Sequence, residues 1–205
     1  MTERMTDTET ALRGVRPDGG ASAEAARRFR ESAAAAAETD VAYASIDSPL
    51  GPLVAAVTRR GLVMLSYGHD DFEAESLALA RLVSPRILAA PKRVDPVLRQ
   101  LDEYFERRRE RFEVRIDWSL VRGFGRDVLV ATARIPYGEV LTYREVASEA
   151  QRPLAARAAG NALSANPIPI VVPCHRVVHS GGGLGGYTGG LHRKRFLLDL
   201  EGVAV

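Results

Sequence analysis

The sequence predicts a small α/β domain followed by a mostly helical domain that contains a helix-turn-helix. The first indication is residues 41–68, where short apolar runs alternate with Ser-Pro, Gly-Pro and Arg-Gly turn signals, as in strands joined by tight turns. The second is the helical periodicity of apolar residues in several later segments. The third is a pair of short helical patterns separated by Arg152 and Pro153.

Composition and periodicity divide the chain into a tail and two domains. Residues 1–40 are polar and short of large apolar side chains, so we expect a flexible tail there. Residues 41–118 are predicted to form the α/β domain and residues 119–205 the helical domain. With 46% hydrophobic and 26% charged residues, the chain has the composition of a soluble globular protein. No apolar run approaches the roughly 20 residues that a membrane span requires.

Each helix prediction rests on a local signal. Residues 70–84 open with acidic side chains before the periodic run, as helix N-termini often do. Thr142 is followed three residues later by Glu145, which is a capping-box signature. The helical patterns span residues 70–84, 95–112, 123–135, 142–150 and 154–166.

The last of these patterns is nearly bare of long side chains. Alanine and glycine occupy most of its positions and Arg157 is its one long residue, so this helix could approach another surface closely. Residues 152–205 carry six basic and two acidic side chains, a net +4 against +2 for the whole chain, which favours an anionic partner on that side. On charge alone, an ordinary solvated face is the more frequent explanation.

The single cysteine, Cys174, lies beside His175 after an apolar run that prolines stiffen. A neighbouring base that takes the thiol proton would raise the fraction of reactive thiolate. An extended backbone would direct the two side chains to opposite sides, so they would need a turn or a water relay to communicate. A structural cysteine beside a core histidine is the alternative that the residues alone leave open. One free thiol also fits a reducing cytoplasm.

Two other motifs in this region do not fit their usual functions. A G-x-G-x-x-G pattern occurs in residues 181–186, but no helix pattern follows it directly, as nucleotide binding would require. Cys174 and its neighbouring histidines match no zinc spacing, and we expect neither a metal nor a required cofactor. The histidines concerned are His175, His179 and His192.

The segment "NPIPIVVPCHRVV", with "GGYTGG" and "KRFLLDLEG" after it, resembles the O6-alkylguanine-DNA alkyltransferase family, also called the methylated-DNA–protein-cysteine methyltransferases. The resemblance continues upstream through "IPYGEVLTYREVA" and "AARAAGNALSANP". It is strong over residues 119–203, weaker over 41–118 and absent from the tail. It implies a ribonuclease-H-like fold for the α/β domain and a winged-helix-like arrangement for the helical domain.

The resemblance implies roles for five residues in the chemistry. Cys174 is expected to be the nucleophile, His175 the base that deprotonates it through a bound water, and Glu201 the carboxylate that orients the histidine. Asn166 is expected to fix the turn before the active-site segment. Tyr143 is expected to help rotate the 3′ phosphate and to protonate the leaving guanine.

The resemblance also implies a set of substrate and DNA contacts. Arg157 is expected to fill the base stack after the damaged base has been flipped out, and Leu163 to contact the groove. Backbone groups near Cys174 and Val177 are expected to read the guanine edge. The residues expected at this surface are Arg157, Tyr187, Thr188, Pro169, Val177, Leu163, Ala156 and Arg176.

The implied function is DNA repair by irreversible, single-turnover transfer of an alkyl group to Cys174. The expected partner is double-stranded DNA carrying O6-alkylguanine, with O4-alkylthymine as a further candidate lesion. We expect a cytoplasmic monomer with no membrane partner. A non-catalytic lesion sensor of the alkyltransferase-like class would lack the cysteine. A sequence-specific transcription regulator would need more base-reading side chains than one arginine.

Overall fold

The computed structural model describes residues 39–68 and 72–204, with the backbone alone for residues 72–75. The strands are β1 (Val41–Ile46), β2 (Leu53–Val57), β3 (Leu62–Tyr67), β4 (Ile87–Ala89), β5 (Leu141–Thr142) and β6 (Val177–Val178). The helices are α1 (Phe72–Leu82), α2 (Pro91–Phe105), α3 (Gly123–Thr132), α4 (Tyr143–Glu149), α5 (Ala156–Ser164) and α6 (Leu191–Leu200). Two short 3-10 helices cover Trp118–Leu120 and Cys174–Arg176. The prediction of a small sheet with helices followed by a helical part is confirmed.

The first four strands form one sheet in the order β3-β2-β1-β4. β1 is antiparallel to β2 and parallel to β4, and β2 is antiparallel to β3. Gly61, in the turn before β3, has a φ of 138°, and a Cβ there would lie 2.1 Å from the carbonyl oxygen of Arg115. Only glycine tolerates that backbone and that approach. β3 is an edge strand, and its Leu65 N–H donates to the carbonyl of Pro167, which ties the sheet to the proline-rich run.

One helix packs on each face of this sheet. On one face, Leu79 of α1 packs with Val41, Ala56 and Met64 in a buried cluster. On the other, α2 contacts β1 and β2 through a buried stripe that includes Val94, Val97, Leu101 and Tyr104. α2 begins at Pro91, four residues before the predicted start, because proline suits the first turn of a helix. It ends at Phe105, since Arg107 adopts a left-handed φ of 57°.

The helical part is built on α3, α4 and α5, which contact one another. The predicted capping box is present: the Thr142 side chain accepts from the Glu145 N–H, and the Glu145 carboxylate accepts from the Thr142 N–H. β5 pairs in parallel with β6. The start of α4 is therefore held next to the segment that follows Cys174.

The predicted tail, residues 1–40, lies outside the described residues except for its last two. Thr39 is buried, and the carboxylate of Asp40 accepts hydrogen bonds from Ser84 and Arg86. From Thr39 onward the described chain forms one compact unit. Thr39 and Asp40, which were predicted to belong to the tail, therefore pack on the α/β part.

Candidate active site

Cys174 is held by a tight turn whose centre is Asn166. The Asn166 side-chain amide donates to the Val172 carbonyl at 2.9 Å and to the Cys174 sulfur at 3.2 Å. Its oxygen accepts from the Ile168 N–H at 3.0 Å. Within this turn Ile170 has a φ of 71°, a left-handed conformation that a β-branched residue adopts at a cost. The three Asn166 bonds hold this conformation and place the sulfur.

Glu201, at the end of α6, is the common hydrogen-bond partner of His175 and the side chains around it. His175 Nε2 lies 2.9 Å from Glu201 Oε1. Arg176 donates from Nη2 to Oε1 and from Nε to Oε2, both at 2.8 Å, which is the bidentate geometry that suits a carboxylate. The Tyr104 hydroxyl donates to the same Oε1 at 2.6 Å. All four side chains are buried. Hydrogen bonds therefore occupy most of the acceptor positions of the two Glu201 oxygens.

These contacts set the protonation of the Glu201–His175 pair. Burial opposes ionisation of Glu201, but its hydrogen bonds with His175 and Arg176 hold its pKa at about 2. Burial lowers the pKa of His175, so the ring is neutral near pH 7. A neutral ring beside a carboxylate carries its proton on Nε2, which leaves Nδ1 as the acceptor. Nδ1 is buried with no hydrogen-bond partner among the described residues.

The thiol of Cys174 is protonated in the free protein. Burial raises its pKa to about 11, although the Asn166 hydrogen bond and the charge of Lys194 act in the opposite direction. A buried sulfur loses the solvation that an anion needs. The expected role of His175 and Glu201 in favouring the thiolate stays a prediction.

Lys194 of α6 is a fully buried lysine next to this site. Its Nζ donates to the Val177 carbonyl at 2.5 Å and also to the Leu184 carbonyl. Burial lowers its pKa to about 8. The lysine thus links β6, which follows Cys174, to the glycine-rich loop.

A cavity of about 290 Å³ opens between α5 and Cys174. Tyr143, half-buried at the start of α4, lines it and is placed by two glycines. A Cβ on Gly185 would lie 2.5 Å from the Tyr143 hydroxyl, and a Cβ on Gly160 would touch its ring. The lining residues are Tyr143, Gly160, Leu163, Ser164, Cys174, Gly186, Tyr187 and Thr188. A thiol, a phenol and the small-residue helix α5 therefore meet at one cavity.

Comparison with known proteins agrees with this arrangement along the whole folded part. The protein-family model described as "6-O-methylguanine DNA methyltransferase, ribonuclease-like domain" matches residues 41–118. The model described as "6-O-methylguanine DNA methyltransferase, DNA binding domain" matches residues 123–203. The chain belongs to the 6-O-methylguanine DNA methyltransferase family.

Relatives in this family match the chain over most of their length. The methylated-DNA–protein-cysteine methyltransferase of Mycobacterium tuberculosis is 39% identical over 164 residues, which cover 78% of this chain and 91% of the relative. The protein of that name from Methanosarcina barkeri is 37% identical over 159 residues, covering 78% and 96%. The crystal structure of Mycobacterium tuberculosis OGT in complex with DNA has a TM-score of 0.67 at 38% identity, covering 78% of this chain and 92% of that one.

The structure places most of the family-derived site residues around Cys174. Pro169 and Tyr187 line cavities that contain its sulfur, and the exposed Thr188 donates to the Ser164 carbonyl at 2.6 Å. Ala156 and Arg157 occupy the first two positions of α5. The Arg157 side chain is exposed.

One of the expected substrate or DNA contacts is corrected. Arg176 cannot reach DNA, because it is buried and its guanidinium is committed to Glu201 and to the Ile135 carbonyl. Leu163 is buried and lines the cavity beside Cys174, and its expected contact stays a prediction. The Val177 N–H donates to the Cys174 carbonyl, and the expected reading of the guanine edge by backbone groups near these residues also stays a prediction.

Sequence reasoning missed Tyr67, Tyr104 and Lys194. Tyr67 of β3 shares a 2.6 Å hydrogen bond with the Tyr187 hydroxyl, and Tyr104 reaches Glu201 from α2. Both come from the α/β part, where no motif marks them. Lys194 gave no signal of its own, since it stands between Arg193 and Arg195 in a basic run.

Two negative findings apply to the described residues. No group of three or more His, Cys, Asp or Glu side chains within residues 39–68 and 76–204 could hold a metal ion. None of the helices in the described part of the chain is long and apolar enough to cross a membrane.

Proposed function

We propose that the protein repairs O6-alkylguanine in double-stranded DNA by transferring the alkyl group to its own Cys174. The observation that carries the proposal is the Asn166-held sulfur, which lines a cavity next to a buried Glu201–His175 pair. Family membership over both parts of the chain supports the same reaction. The substrate class follows from what the family model and the relatives are named for.

The transfer is a displacement at the alkyl carbon. The Cys174 sulfur forms a bond to that carbon, the bond from carbon to O6 breaks, and its electron pair stays on the guanine. His175 takes the thiol proton on Nδ1, through a water if the two are not in contact, and a proton supplied to the guanine restores the neutral base. Tyr143, which lines the same cavity, is proposed as the group that delivers it. The phenolate then takes up a proton from solvent, and His175 releases the thiol proton to solvent. The product thioether does not hydrolyse, so each protein molecule acts once.

The neutral resting thiol suits this order of events. With a pKa of about 11, the sulfur carries no charge until a substrate carbon is aligned with it. The neutral His175, held by Glu201, is then the proposed general base. Asn166, which donates to the sulfur, stabilises the anion that forms.

Access to the base requires that it leave the helix. An alkyl carbon inside a stacked duplex cannot meet a sulfur in a cavity, so the nucleotide has to be flipped out. We propose that α4 and α5 act as a helix-turn-helix, with the small-residue face of α5 against the narrow minor groove. Arg157, exposed at the start of α5, is proposed to occupy the vacated position in the stack.

Intact-protein mass spectrometry tests the proposed function. After incubation with excess duplex containing O6-methylguanine, the mass is expected to rise by one methyl group and then stop. Peptide mapping is expected to place the methyl group on Cys174. Cys174→Ser, which replaces the thiol by a hydroxyl of similar size, is expected to bind the duplex and gain no mass. Repeated turnover, or a methyl group on another residue, would contradict the proposal.

A further inference from the structure

Tyr67, the last residue of β3, connects the sheet of the α/β part to the loop that carries Tyr187. Its hydroxyl shares a 2.6 Å hydrogen bond with the Tyr187 hydroxyl. The two rings also pack edge to face, with their centres 6.4 Å apart. One residue of the sheet therefore holds Tyr187 both at its ring and at its hydroxyl.

Both phenols of this pair are neutral near pH 7. Burial raises the pKa of Tyr67 and that of Tyr187, because a phenolate away from water loses its solvation. The contact is thus a hydrogen bond between two neutral hydroxyls, in which one donates and the other accepts. A substitution that removes either hydroxyl leaves the other without this partner.

Tyr67 is itself fixed by contacts to its ring. The Arg193 guanidinium lies 4.5 Å from the centre of the Tyr67 ring. Arg193 also donates to the carbonyls of Leu50 and Gly189, so it ties the sheet to the loop at the same point. A Cβ on Gly189 would lie 2.5 Å from the Tyr67 ring and 2.8 Å from the Tyr187 ring. Glycine at this position lets both rings pack directly on the loop backbone.

Tyr187 transmits this anchor to the active site. It lines the cavity between α5 and Cys174. It also lines a second cavity, of about 310 Å³, that lies between Cys174 and β3. Tyr187 therefore belongs to the wall that the two cavities share, and its position decides how far the space beside the sulfur extends.

Alkyl transfer depends on how precisely the base is placed. Sulfur, alkyl carbon and leaving oxygen have to lie on one line, and a misplacement of about 1 Å can cost roughly 100-fold in rate. The sulfur is placed by Asn166. The base has to be placed by the cavity wall, and Tyr187 is the part of that wall whose hydroxyl is held from β3.

We propose that Tyr67 is a positioning residue for alkyl transfer, which holds the Tyr187 ring as the wall that aligns the flipped alkylguanine with the Cys174 sulfur. Tyr67 acts through Tyr187 and takes no part in the bond changes. The proposal rests on the proposed function, because the wall matters only if a base enters the cavity beside Cys174. It gives β3 a part in the reaction as well as in the sheet.

Tyr67→Phe removes the hydroxyl and keeps the ring. Single-turnover reactions with duplex containing O6-methylguanine, run over a range of protein concentrations, give a limiting rate constant and a half-saturating concentration. The limiting rate constant is expected to fall about three- to tenfold, the effect of one lost neutral hydrogen bond. The half-saturating concentration is expected to stay within about twofold of wild type, because the exposed face of α5 is unchanged. A limiting rate constant equal to that of the wild type would overturn the proposal.

A double-mutant cycle shows whether Tyr67 acts through Tyr187. Tyr187→Phe alone is expected to slow transfer at least as much, since it removes the other half of the same hydrogen bond. Adding Tyr67→Phe to Tyr187→Phe is expected to change the limiting rate constant by less than about twofold, because residues that share one interaction are not additive. A packing role independent of the Tyr187 hydroxyl would make the two losses multiply, and that result would overturn the proposal.

Tyr43→Phe is the matched control, because Tyr43 lies in β1 of the same sheet and outside the walls of both cavities. It is expected to transfer the methyl group at the wild-type rate, and slowing equal to that of Tyr67→Phe would show a general effect of the sheet and reject the positioning role. Urea unfolding of each variant sets an assay temperature at which all of them are folded. Failure of the wild type to transfer methyl would reject the proposed function, whereas normal transfer by both the wild type and Tyr67→Phe would reject only the role of Tyr67.

Discussion

The Tyr104 hydroxyl donates a 2.6 Å hydrogen bond to the same Glu201 oxygen that contacts His175. Tyr104 lies in α2, on the sheet of the α/β part, whereas Glu201 ends the last helix. Both side chains are buried. The α/β part is therefore not only an attached domain, since it supplies a donor to the network that we propose acts on Cys174.

Tyr104→Phe is expected to weaken the fold and to slow alkyl transfer moderately. A hydrogen bond to a charged group contributes roughly 1.5–3 kcal/mol, and this one also fixes the carboxylate against His175. Tyr137→Phe is the comparison, because the Tyr137 hydroxyl donates to a neutral carbonyl, that of Leu200. Loss of the Tyr137 hydrogen bond is expected to lower the free energy of unfolding by only about 0.5–1.5 kcal/mol. Urea unfolding measures the stability of both variants, and equal losses of stability would argue against a special role for Tyr104.

The thiol of Cys174 is expected to titrate far above neutral pH. Because burial raises its pKa to about 11, ultraviolet thiolate absorbance should be nearly absent at pH 8 and appear only as the pH approaches that value. Cys174→Ser supplies the blank, since the chain has one cysteine. Asn166→Ala should move the titration still higher, because it removes a donor to the sulfur. A thiolate signal already complete at pH 8 would show that the site activates the sulfur before substrate arrives.

Glu201 is expected to make the fold sensitive to acid. Its folded pKa of about 2 lies below the ordinary value of 4.5, so the folded state binds the proton more weakly than the unfolded state. The resulting stabilisation is complete above pH 4.5 and is lost as the pH falls towards 2. A shift of this size corresponds to something on the order of 3 kcal/mol.

Glu201→Gln isolates this contribution from that of the other carboxylates. The variant is expected to be less stable at pH 7 by about 3–5 kcal/mol, because it leaves the Arg176 charge buried without a partner. Its stability should then fall less than that of the wild type between pH 5 and pH 3. Urea unfolding across this range gives both curves, and parallel curves would show that Glu201 does not carry the acid sensitivity.

Arg157→Ala is expected to slow repair in duplex DNA about tenfold or more, the effect of losing a contact worth roughly 1.4 kcal/mol. Reaction with free O6-benzylguanine should change little, because a free base needs no flipping. Arg81→Ala removes the same charge from an exposed position on α1 and should leave both rates unchanged. Equal slowing of the duplex and free-base reactions by Arg157→Ala would reject its proposed place in the base stack.

Local sequence alone was enough to predict the elements whose signals lie within a few residues. The capping box at Thr142 and Glu145 depends on one helical turn and is present as predicted. The start of α2 was missed by four residues, because a proline and its neighbours accept either a loop or a first helical turn. The motif around Cys174 led to the family and to Asn166, Cys174 and His175, since these residues lie in one continuous stretch of the chain.

Tertiary structure decided the burial, the ion pairing and the pKa values of the site residues, which the motif does not indicate. The family motif suggested a substrate or DNA contact for Arg176, but packing buries its guanidinium against Glu201. Burial also raises the pKa of the Cys174 thiol, which the motif alone could not indicate. Tertiary structure also brought Tyr104 to the site from a helix far away in the chain. Short-range patterns report backbone conformation, whereas burial, ion pairing and cavity shape depend on which distant side chains meet when the sheet and the helices close on one another.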